Sequence, residues 1–301
     1  MRGDEILRVV NLSMRFSSGS GLFGRRTSVQ AVDDVSLVVR RGATLGLVGE
    51  SGSGKTTLGR CILRAHQPTS GQLHYRRTDG SEVDLAVLSR AELRPLRTEI
   101  RTVFQDPNSS LNPRMTVQQI VAEPLIVNKL ASGSALTDQV ADALRRCGLR
   151  PELMRRYPHA FSGGERQRIG IARALVTQPR LVVADEAVSA LDVSVRSQIL
   201  NLLEDLQDEF ELTYVFISHD LSVVQHLCDR VAVMYRGKIV EEADTEDLFE
   251  RPQHTYTQKL LASVPITDPR LRTPRPGTPQ SLSAARHRRP DTASRESTAT
   301  G

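Results

Sequence analysis

A short glycine-rich run carries the residue types that phosphate chemistry requires. The run Gly49-Glu50-Ser51-Gly52-Ser53-Gly54-Lys55-Thr56 follows an apolar segment at residues 45–48 and precedes a helical pattern at residues 57–64. It matches G-x-x-x-x-G-K-[ST] in a strand–loop–helix setting. The glycines let backbone N–H groups approach phosphate oxygens, Lys55 supplies a positive charge, and Thr56 offers a hydroxyl to Mg²⁺. The run, extended by Thr57, predicts a nucleoside-triphosphate site.

A glycine-rich turn without a ligand is the alternative interpretation of this run. Average residue usage makes a chance match in a chain of this length roughly a one-in-a-hundred event. The strand-like and helical flanks lower the chance further, so the nucleotide site is favoured.

Two adjacent carboxylates follow a second apolar run. Residues 181–184 have the composition of a buried parallel strand, and Asp185 and Glu186 come directly after it. Hydrolysis of a nucleoside triphosphate needs a carboxylate for Mg²⁺ and a group that orients or deprotonates the attacking water. Asp185 is the candidate for the metal and Glu186 the candidate general base, whereas the alternative is a pair of helix-capping carboxylates.

His219 and Gln105 each close a predicted strand. The carboxyl ends of strands in an α/β sheet are where ligands bind, so His219 is a candidate for contact with the γ-phosphate. The amide of Gln105 suits a contact to the metal or to water that can be broken. A solvated or structural histidine is the alternative for His219. An ordinary polar residue at a strand exit is the equally good alternative for Gln105 when that residue is taken alone.

A second anion-binding element is predicted at Ser162-Gly163-Gly164-Glu165-Arg166-Gln167. Ser162 and Glu165 have the spacing of a capping box at the start of a helix. Two glycines in a first helical turn are costly, but they expose backbone N–H groups that can bind an anion. The chain thus has one phosphate loop and two phosphate-binding elements. One explanation is that the two elements serve different nucleotides, each completed by a second subunit.

The order of these motifs resembles that of the ABC ATPases. The runs 49–56, 162–167 and 181–186 are similar to the Walker A, signature and Walker B motifs, Gln105 to the Q-loop, 189–192 to the D-loop and His219 to the H-loop. The resemblance implies a head-to-tail dimer with two ATP molecules, each between the Walker A motif of one subunit and the signature of the other. The residues that it implies are Glu186 and His219 for catalysis; Phe16 stacked on adenine; Thr56, Gln105 and Asp185 around Mg²⁺; Ser162, Gly163, Gly164 and Gln167 acting in trans; and Asp192 in the D-loop.

Three further runs, at residues 105–115, 185–192 and 254–258, resemble the oligopeptide/dipeptide importer ATPases. The sequence Asp185-Glu186-Ala187-Val188 is similar to the second of two paired ATPase subunits. The chain departs from the group at Phe161, where leucine is usual, and it lacks the C-terminal segment with cysteines that is frequent there.

That resemblance implies a role in peptide uptake at the cytoplasmic face of the cell membrane. The implied partners are membrane permease subunits, a paralogous or identical ATPase subunit and, indirectly, an extracytoplasmic substrate-binding protein. Nickel or glutathione are alternative cargoes, and a soluble ABC ATPase acting on nucleic acid or the ribosome is the rival class.

Composition supports a cytosolic protein without nucleic acid as a partner. The 301 residues carry a net charge of +5, and seven arginines against three acids fall in residues 265–301, which leaves the remainder nearly neutral. The three cysteines lie far apart, which argues against disulfides and a zinc module. We find no signal-peptide pattern, and the longest apolar runs are too short to cross a bilayer.

The pattern of predicted elements and the resemblance together imply an α/β fold: a P-loop NTPase core with a mostly parallel sheet, an antiparallel β part near the N-terminus and an inserted helical subdomain. We expect residues 1–105 and 176–242 to form the core and residues 106–175 the helical subdomain with the signature. Residues 243–264 are predicted as a C-terminal helical extension and 265–301 as a disordered basic tail. Residues 16–30 are predicted as a loop, 83–87 as a strand and 151–157 as a helix.

Overall fold

The computed structural model describes residues 1, 3–18, 27–104 and 110–263. The predictions for Gln105 and for the tail at residues 265–301 lie outside these residues. Within them, residues Met1–Ser263 form one compact unit.

The strands are β1 (Glu5–Ser18), β2 (Thr27–Arg40), β3 (Thr44–Val48), β4 (Ser70–Arg76), β5 (Glu82–Asp84), β6 (Ile100–Val103), β7 (Leu181–Asp185), β8 (Thr213–Ile217), β9 (Arg230–Tyr235) and β10 (Lys238–Asp244). The helices are α1 (Lys55–Ile62), α2 (Arg90–Glu99), α3 (Val117–Val127), α4 (Gly133–Arg146), α5 (Gly163–Leu175), α6 (Val193–Phe210), α7 (Leu221–Leu227), α8 (Thr245–Glu250) and α9 (Thr255–Ala262). Short 3₁₀ turns lie at Pro151–Arg155 and Pro158–Ala160.

The strands form two sheets. A six-stranded sheet has the order β10-β9-β3-β8-β7-β6, in which all neighbours are parallel except the edge strand β10. A four-stranded antiparallel sheet has the order β2-β1-β4-β5. The predicted fold class, a mostly parallel core sheet with an antiparallel part near the N-terminus, is confirmed. Because β3, β6, β7 and β8 run parallel, their carboxyl ends meet at one edge of the sheet.

The core lies between the two sheets and around α1. Every residue of β3 and β8 is buried, as their apolar runs predict for central parallel strands. Leu58, Cys61 and Ile62 of α1 are fully buried in a cluster that includes Leu7 of β1 and Ile217 of β8. Because α1 packs against strands of both sheets, its first residues are held at a fixed place above the sheet edge.

All regular elements that the structure describes between residues 110 and 175 are helical. Helices α3, α4 and α5 pack against one another in this segment. The boundaries expected for the helical subdomain stay a prediction.

Local signals were accurate where contiguous residues decide the structure. Ser89 caps α2 in a capping box with Glu92. The hairpin between β9 and β10 turns at Arg236 and Gly237, whose φ angles of 48° and 84° suit a tight turn. Helix α6 begins and ends where the pattern at residues 193–210 predicts.

The predicted loop at residues 16–30 is wrong at both ends, because β1 extends to Ser18 and β2 begins at Thr27. Phe16 pairs with Val29, and pairing with the neighbouring strand satisfies the backbone although the side chains lack strand-like alternation. The predicted strand at residues 83–87 ends early, at Asp84. The Asp84 carboxylate accepts hydrogen bonds from the N–H groups of Leu73 and Ala86, which turns the chain.

The segment at residues 151–157, predicted as a helix, forms only the 3₁₀ turn Pro151–Arg155. Cys61, Cys147 and Cys228 are buried and free, as the absence of a disulfide framework predicts. Among the residues that the structure describes, no helix has the length and apolar character that a membrane span needs.

Candidate functional site

The loop between β3 and α1 depends on glycine at two close approaches. Gly49 and Gly54 have φ angles of 145° and 111°, in the region that side chains disfavour. A Cβ atom at Gly49 would overlap the carbonyl oxygen of Met234, and one at Gly54 would overlap that of Ala31. The loop is therefore packed tightly between β9 and β2 and holds one defined shape.

Lys55 is buried at the first position of α1, with 5% of its surface exposed. Its Nζ donates to the carbonyl oxygens of Gly49 at 2.6 Å and Glu50 at 2.8 Å. Burial lowers the pKa of Lys55, and the nearby carboxylates of Glu186, Asp185 and Glu50 oppose that shift. The ammonium group is thus held inside the loop by backbone oxygens and by surrounding negative charge.

Thr56 and Asp185 meet although 129 positions separate them. The Thr56 hydroxyl donates to Asp185 Oδ1 at 3.1 Å. Burial raises the pKa of Asp185; the hydrogen bond from Thr56 lowers it, and Glu186 raises it further. A hydroxyl and a carboxylate are hard oxygen ligands of the kind that Mg²⁺ takes together with phosphate oxygens. In the described part of the chain no group of three or more His, Cys, Asp or Glu could hold a metal.

Glu186 and His219 face each other at the ends of β7 and β8. His219 Nδ1 lies 3.2 Å from Glu186 Oε1, and the carboxylate is largely shielded while the imidazole is exposed. The Glu186 N–H donates to the carbonyl of Ile217 at 2.9 Å, which joins the two strand ends. At 3.2 Å the two groups contact each other directly, so the pair presents a proton acceptor and a ring nitrogen side by side at the sheet edge.

A cleft of about 160 Å³ collects these groups. It is lined by Ala31, Glu186 and the loop residues Ser51, Gly52, Gly54, Lys55, Thr56 and Thr57. A larger cavity of about 450 Å³ lies between α4 and α6, away from the loop. Cavity volume alone does not identify the site, because a phosphate is bound by backbone N–H groups that point at it from the start of a helix.

The signature residues begin α5 and do not line this cleft. Ser162 and Glu165 form the predicted capping box, with the Ser162 N–H donating to Glu165 Oε2 at 2.8 Å. Gly163 is exposed, whereas a Cβ atom at Gly164 would lie 2.5 Å from Val195 Cγ1 of α6. Gln167 is 1% exposed, and its Nε2 lies 3.5 Å from the carbonyl oxygen of Phe104. The exposed start of α5 suits a ligand brought by another molecule, but the buried Gln167 faces its own subunit.

Two other predicted site residues lie on the surface. Asp192 precedes α6, is exposed and makes no side-chain cap of the helix. Phe16 on β1 is 40% exposed and packs edge-on against His66, with 5.4 Å between ring centroids. Its ring is accessible to a second aromatic system. Gln105 lies outside the described residues, and its role stays a prediction.

Sequence reasoning missed Tyr256 of α9. The backbone N–H of Glu50 in the glycine-rich loop donates to the Tyr256 hydroxyl at 3.0 Å. The run at residues 254–258 was recognised only as a resemblance, without a role. A tyrosine near the start of a helix does not reveal a partner 206 positions away.

Comparison with known proteins agrees with this geometry. The family model described as ABC transporter matches residues 32–189, and the model described as oligopeptide/dipeptide transporter, C-terminal region, matches residues 240–288. The oligopeptide transport ATP-binding protein AppF of Bacillus subtilis is 50% identical over 266 residues, which are 88% of this chain and 79% of AppF.

The glutathione import ATP-binding protein GsiA of Salmonella typhimurium is 52% identical over 276 residues, 91% of this chain. The matched part is 44% of GsiA, so this chain spans less than half the length of that relative. Among solved structures, a dimeric post-hydrolysis state of the ATP-binding cassette MJ0796 bound to ADP and Pi is 28% identical. It has a TM-score of 0.68 and covers 80% of this chain and 99% of its own.

Proposed function

The chain belongs to the ABC transporter family, and on that premise we propose that it is the ATP-binding and ATP-hydrolysing subunit of a peptide importer. It works with separate membrane permease subunits at the cytoplasmic face of the membrane. The observation that carries this proposal is the meeting of Lys55, Thr56, Asp185, Glu186 and His219 at one edge of the parallel sheet. The matches to AppF and to the oligopeptide/dipeptide C-terminal region support peptides as the cargo class.

The binding step uses the loop and its lysine. Backbone N–H groups of the loop and the Lys55 ammonium contact the phosphates, and the positive end of α1 adds to that attraction. Thr56 and Asp185, together with Gln105, would hold Mg²⁺, which supplies charge neutralisation at the phosphates when bound. Phe16 stacks on the adenine.

The hydrolytic step uses Glu186 and His219. Glu186 accepts a proton from the attacking water, whose oxygen forms a bond to the γ-phosphorus. The bond from the γ-phosphorus to the bridging oxygen breaks, and the electron pair leaves with ADP. His219 contacts the γ-phosphate, and its 3.2 Å contact with Glu186 holds both groups in place.

The second half of each site comes from another subunit. Ser162, Gly163 and Gly164 of that subunit contact the γ-phosphate side of the nucleotide, and Asp192 lies at the contact between subunits. This part of the proposal is supported by the exposed start of α5 and by solved dimers of similar cassettes. The second subunit is an identical chain or a paralogue.

Glutathione, itself a tripeptide, is the second candidate cargo. The observation that favours it is the 52% identity to GsiA. The relatives named above favour neither nickel transport nor a soluble role with nucleic acid or ribosomes. A substrate-binding protein outside the cell would deliver the cargo to the permease.

The Glu186→Gln variant tests the hydrolytic assignment. We expect its steady-state ATPase activity in the assembled complex to fall by about 10²–10⁴-fold, the scale of a general base, while ATP binding persists. Glu204→Gln is the matched control, because Glu204 also faces a histidine, His226, at 3.7 Å but lies on α6 outside the cleft. Unimpaired hydrolysis by Glu186→Gln would exclude Glu186 as the base.

Purification of the native complex tests the importer assignment. We expect permease subunits and an extracytoplasmic binding protein to copurify, and the binding protein to retain peptides. Stimulation of ATP hydrolysis by nucleic acid or ribosomes, with no permease recovered, would overturn the assignment.

A further inference from the structure

One carboxylate of β10 helps to anchor the segment that follows this strand on the folded unit. Glu241 of β10 accepts hydrogen bonds from the backbone N–H groups of Gln253 at 2.8 Å and His254 at 2.9 Å. His254 Nδ1 in turn accepts from the N–H of Tyr256 at 3.1 Å and caps α9. These bonds fix the position at which α9 begins, because they bind three backbone donors in or next to its first turn.

Tyr256 uses this position to reach the phosphate loop. Its ring packs on Tyr235, the last residue of β9, with 4.2 Å between centroids, and 8% of Tyr256 is exposed. Thr257, the next residue, is fully buried. The hydroxyl of Tyr256 therefore has little freedom, and it accepts the Glu50 N–H at 3.0 Å.

The hydrogen bond falls on the same peptide unit that holds Lys55. The Gly49 carbonyl and the Glu50 N–H belong to one planar peptide, so they point in opposite directions and turn together. The carbonyl accepts the Lys55 ammonium at 2.6 Å, and the N–H donates to Tyr256. One peptide plane is thus held from both edges, by the lysine on one side and by the C-terminal helix on the other.

We propose that Tyr256 is a positioning residue of the phosphate loop: through the Gly49–Glu50 peptide it fixes the place of the Lys55 ammonium for ATP. The C-terminal region that matches the oligopeptide/dipeptide transporter model is thereby joined to the nucleotide site of the same chain. The side chains of the motif at residues 49–57 do not predict this contact, because its donor is a backbone N–H group that any residue at position 50 would supply. The inference rests on the proposed function only in taking the loop as the ATP site.

The test compares Tyr256→Phe with Tyr235→Phe in the full chain, titrated with MgATP by isothermal titration calorimetry. Each variant loses one hydroxyl and keeps its ring, but only Tyr256→Phe removes the acceptor of the Glu50 N–H. We expect the Kd for MgATP to rise about 3–10-fold in Tyr256→Phe, the scale of one neutral hydrogen bond, and to stay within about twofold of the unaltered chain in Tyr235→Phe. Hydrogen exchange of the Glu50 amide should be faster in Tyr256→Phe alone.

Equal affinities in the two variants, or an unchanged exchange rate at Glu50, would overturn the inference and leave the proposed function standing. Failure of the unaltered chain to bind MgATP would overturn the proposed function itself.

Discussion

Asp185 and Glu186 are adjacent in the chain, yet they face different partners. Asp185 ends β7 and accepts the Thr56 hydroxyl, whereas Glu186 has a φ angle of 50° and faces His219. A left-handed backbone at a residue with a side chain costs roughly 1–2 kcal/mol. Hydrogen bonds from the Glu186 N–H to Ile217 and from the Ser189 N–H to the Glu186 carbonyl offset that cost. The strained backbone separates the proposed metal ligand from the proposed base.

The Asp185→Asn variant tests how much stability the chain loses by burying the ionised Asp185 carboxylate. Because burial raises the pKa of Asp185, the folded chain holds the proton more tightly than the unfolded chain. The free energy of unfolding therefore falls as the pH rises from the pKa of Asp185 in the unfolded chain through its pKa in the folded chain. The asparagine side chain does not ionise, so the variant does not lose this stability. We expect the Tm of the chain without nucleotide to rise by about 1–3 °C at pH 7.5, and the gain to shrink near pH 4.

Thermal denaturation at the two pH values measures this effect. Asp205→Asn, on the exposed face of α6, is the control and should change the Tm by less than about 1 °C. A lower Tm for Asp185→Asn than for the unaltered chain at pH 7.5 would contradict the prediction.

The two neighbouring glycines at the start of α5 have different structural roles. Nothing lies within 4 Å of a Cβ atom built at Gly163, whereas one built at Gly164 would press on Val195 at 2.5 Å. The first glycine therefore leaves room outside the chain, and the second lets α5 approach α6. Helix α6 is also tied to the start of α7, since Arg196 pairs with Asp220 at 2.6 Å. The signature end of α5 is thus packed against the helix that follows the proposed catalytic strand.

Alanine at each glycine separates these two roles. We expect Gly163→Ala to change the free energy of unfolding by less than about 1 kcal/mol, within the range of helix propensity. Gly164→Ala should destabilise by about 1–3 kcal/mol, because the new methyl group overpacks the contact with the stiff Val195 side chain.

Urea denaturation of both variants gives the difference. Adding Val195→Ala to Gly164→Ala should restore part of the lost stability, because it removes the overlapping methyl groups. Equal stability of the two single variants would show that α5 and α6 do not meet closely at this point.

In the whole molecule, the two elements predicted to bind phosphate lie in different places: the phosphate loop lies in the cleft and the signature lies outside it. The cleft gathers the phosphate loop and Glu186, while Ser162 and Gly163 are exposed and outside it. Residues 162–167 do not line the cleft, and their predicted role is one in trans, on a second molecule.

Light scattering after size exclusion tests this assembly. With hydrolysis blocked, the Glu186→Gln chain should run at twice its monomer mass in ATP and as a monomer without it. Adding Gly163→Glu should abolish the dimer, because the new carboxylate has open space within its own chain but repels a partner's triphosphate. Ser134→Glu, in the exposed first turn of α4, is the control that should still dimerise. A monomer in ATP would contradict self-association of this chain.

Several features of this protein could be predicted because contiguous residues decide them. The phosphate loop, the capping box at Ser162, and the apolar runs of β3, β7 and β8 are local patterns. Parallel strands place their carboxyl ends at one edge, so the meeting of Asp185 and His219 near the loop could also be predicted.

Contacts between groups far apart in the chain depend on sheet order and helix packing, and local patterns do not predict them. Sheet order set the bond from Thr56 to Asp185 across 129 positions, and packing of α9 set the bond from Glu50 to Tyr256 across 206. Packing also buries Gln167, whose predicted role in trans stays a prediction. Periodicity records which face of an element is apolar, but it does not record which element will cover that face. The loop at Gly49–Thr56 is thus recognisable from its own residues, while the groups that hold its lysine in place became visible only in the fold.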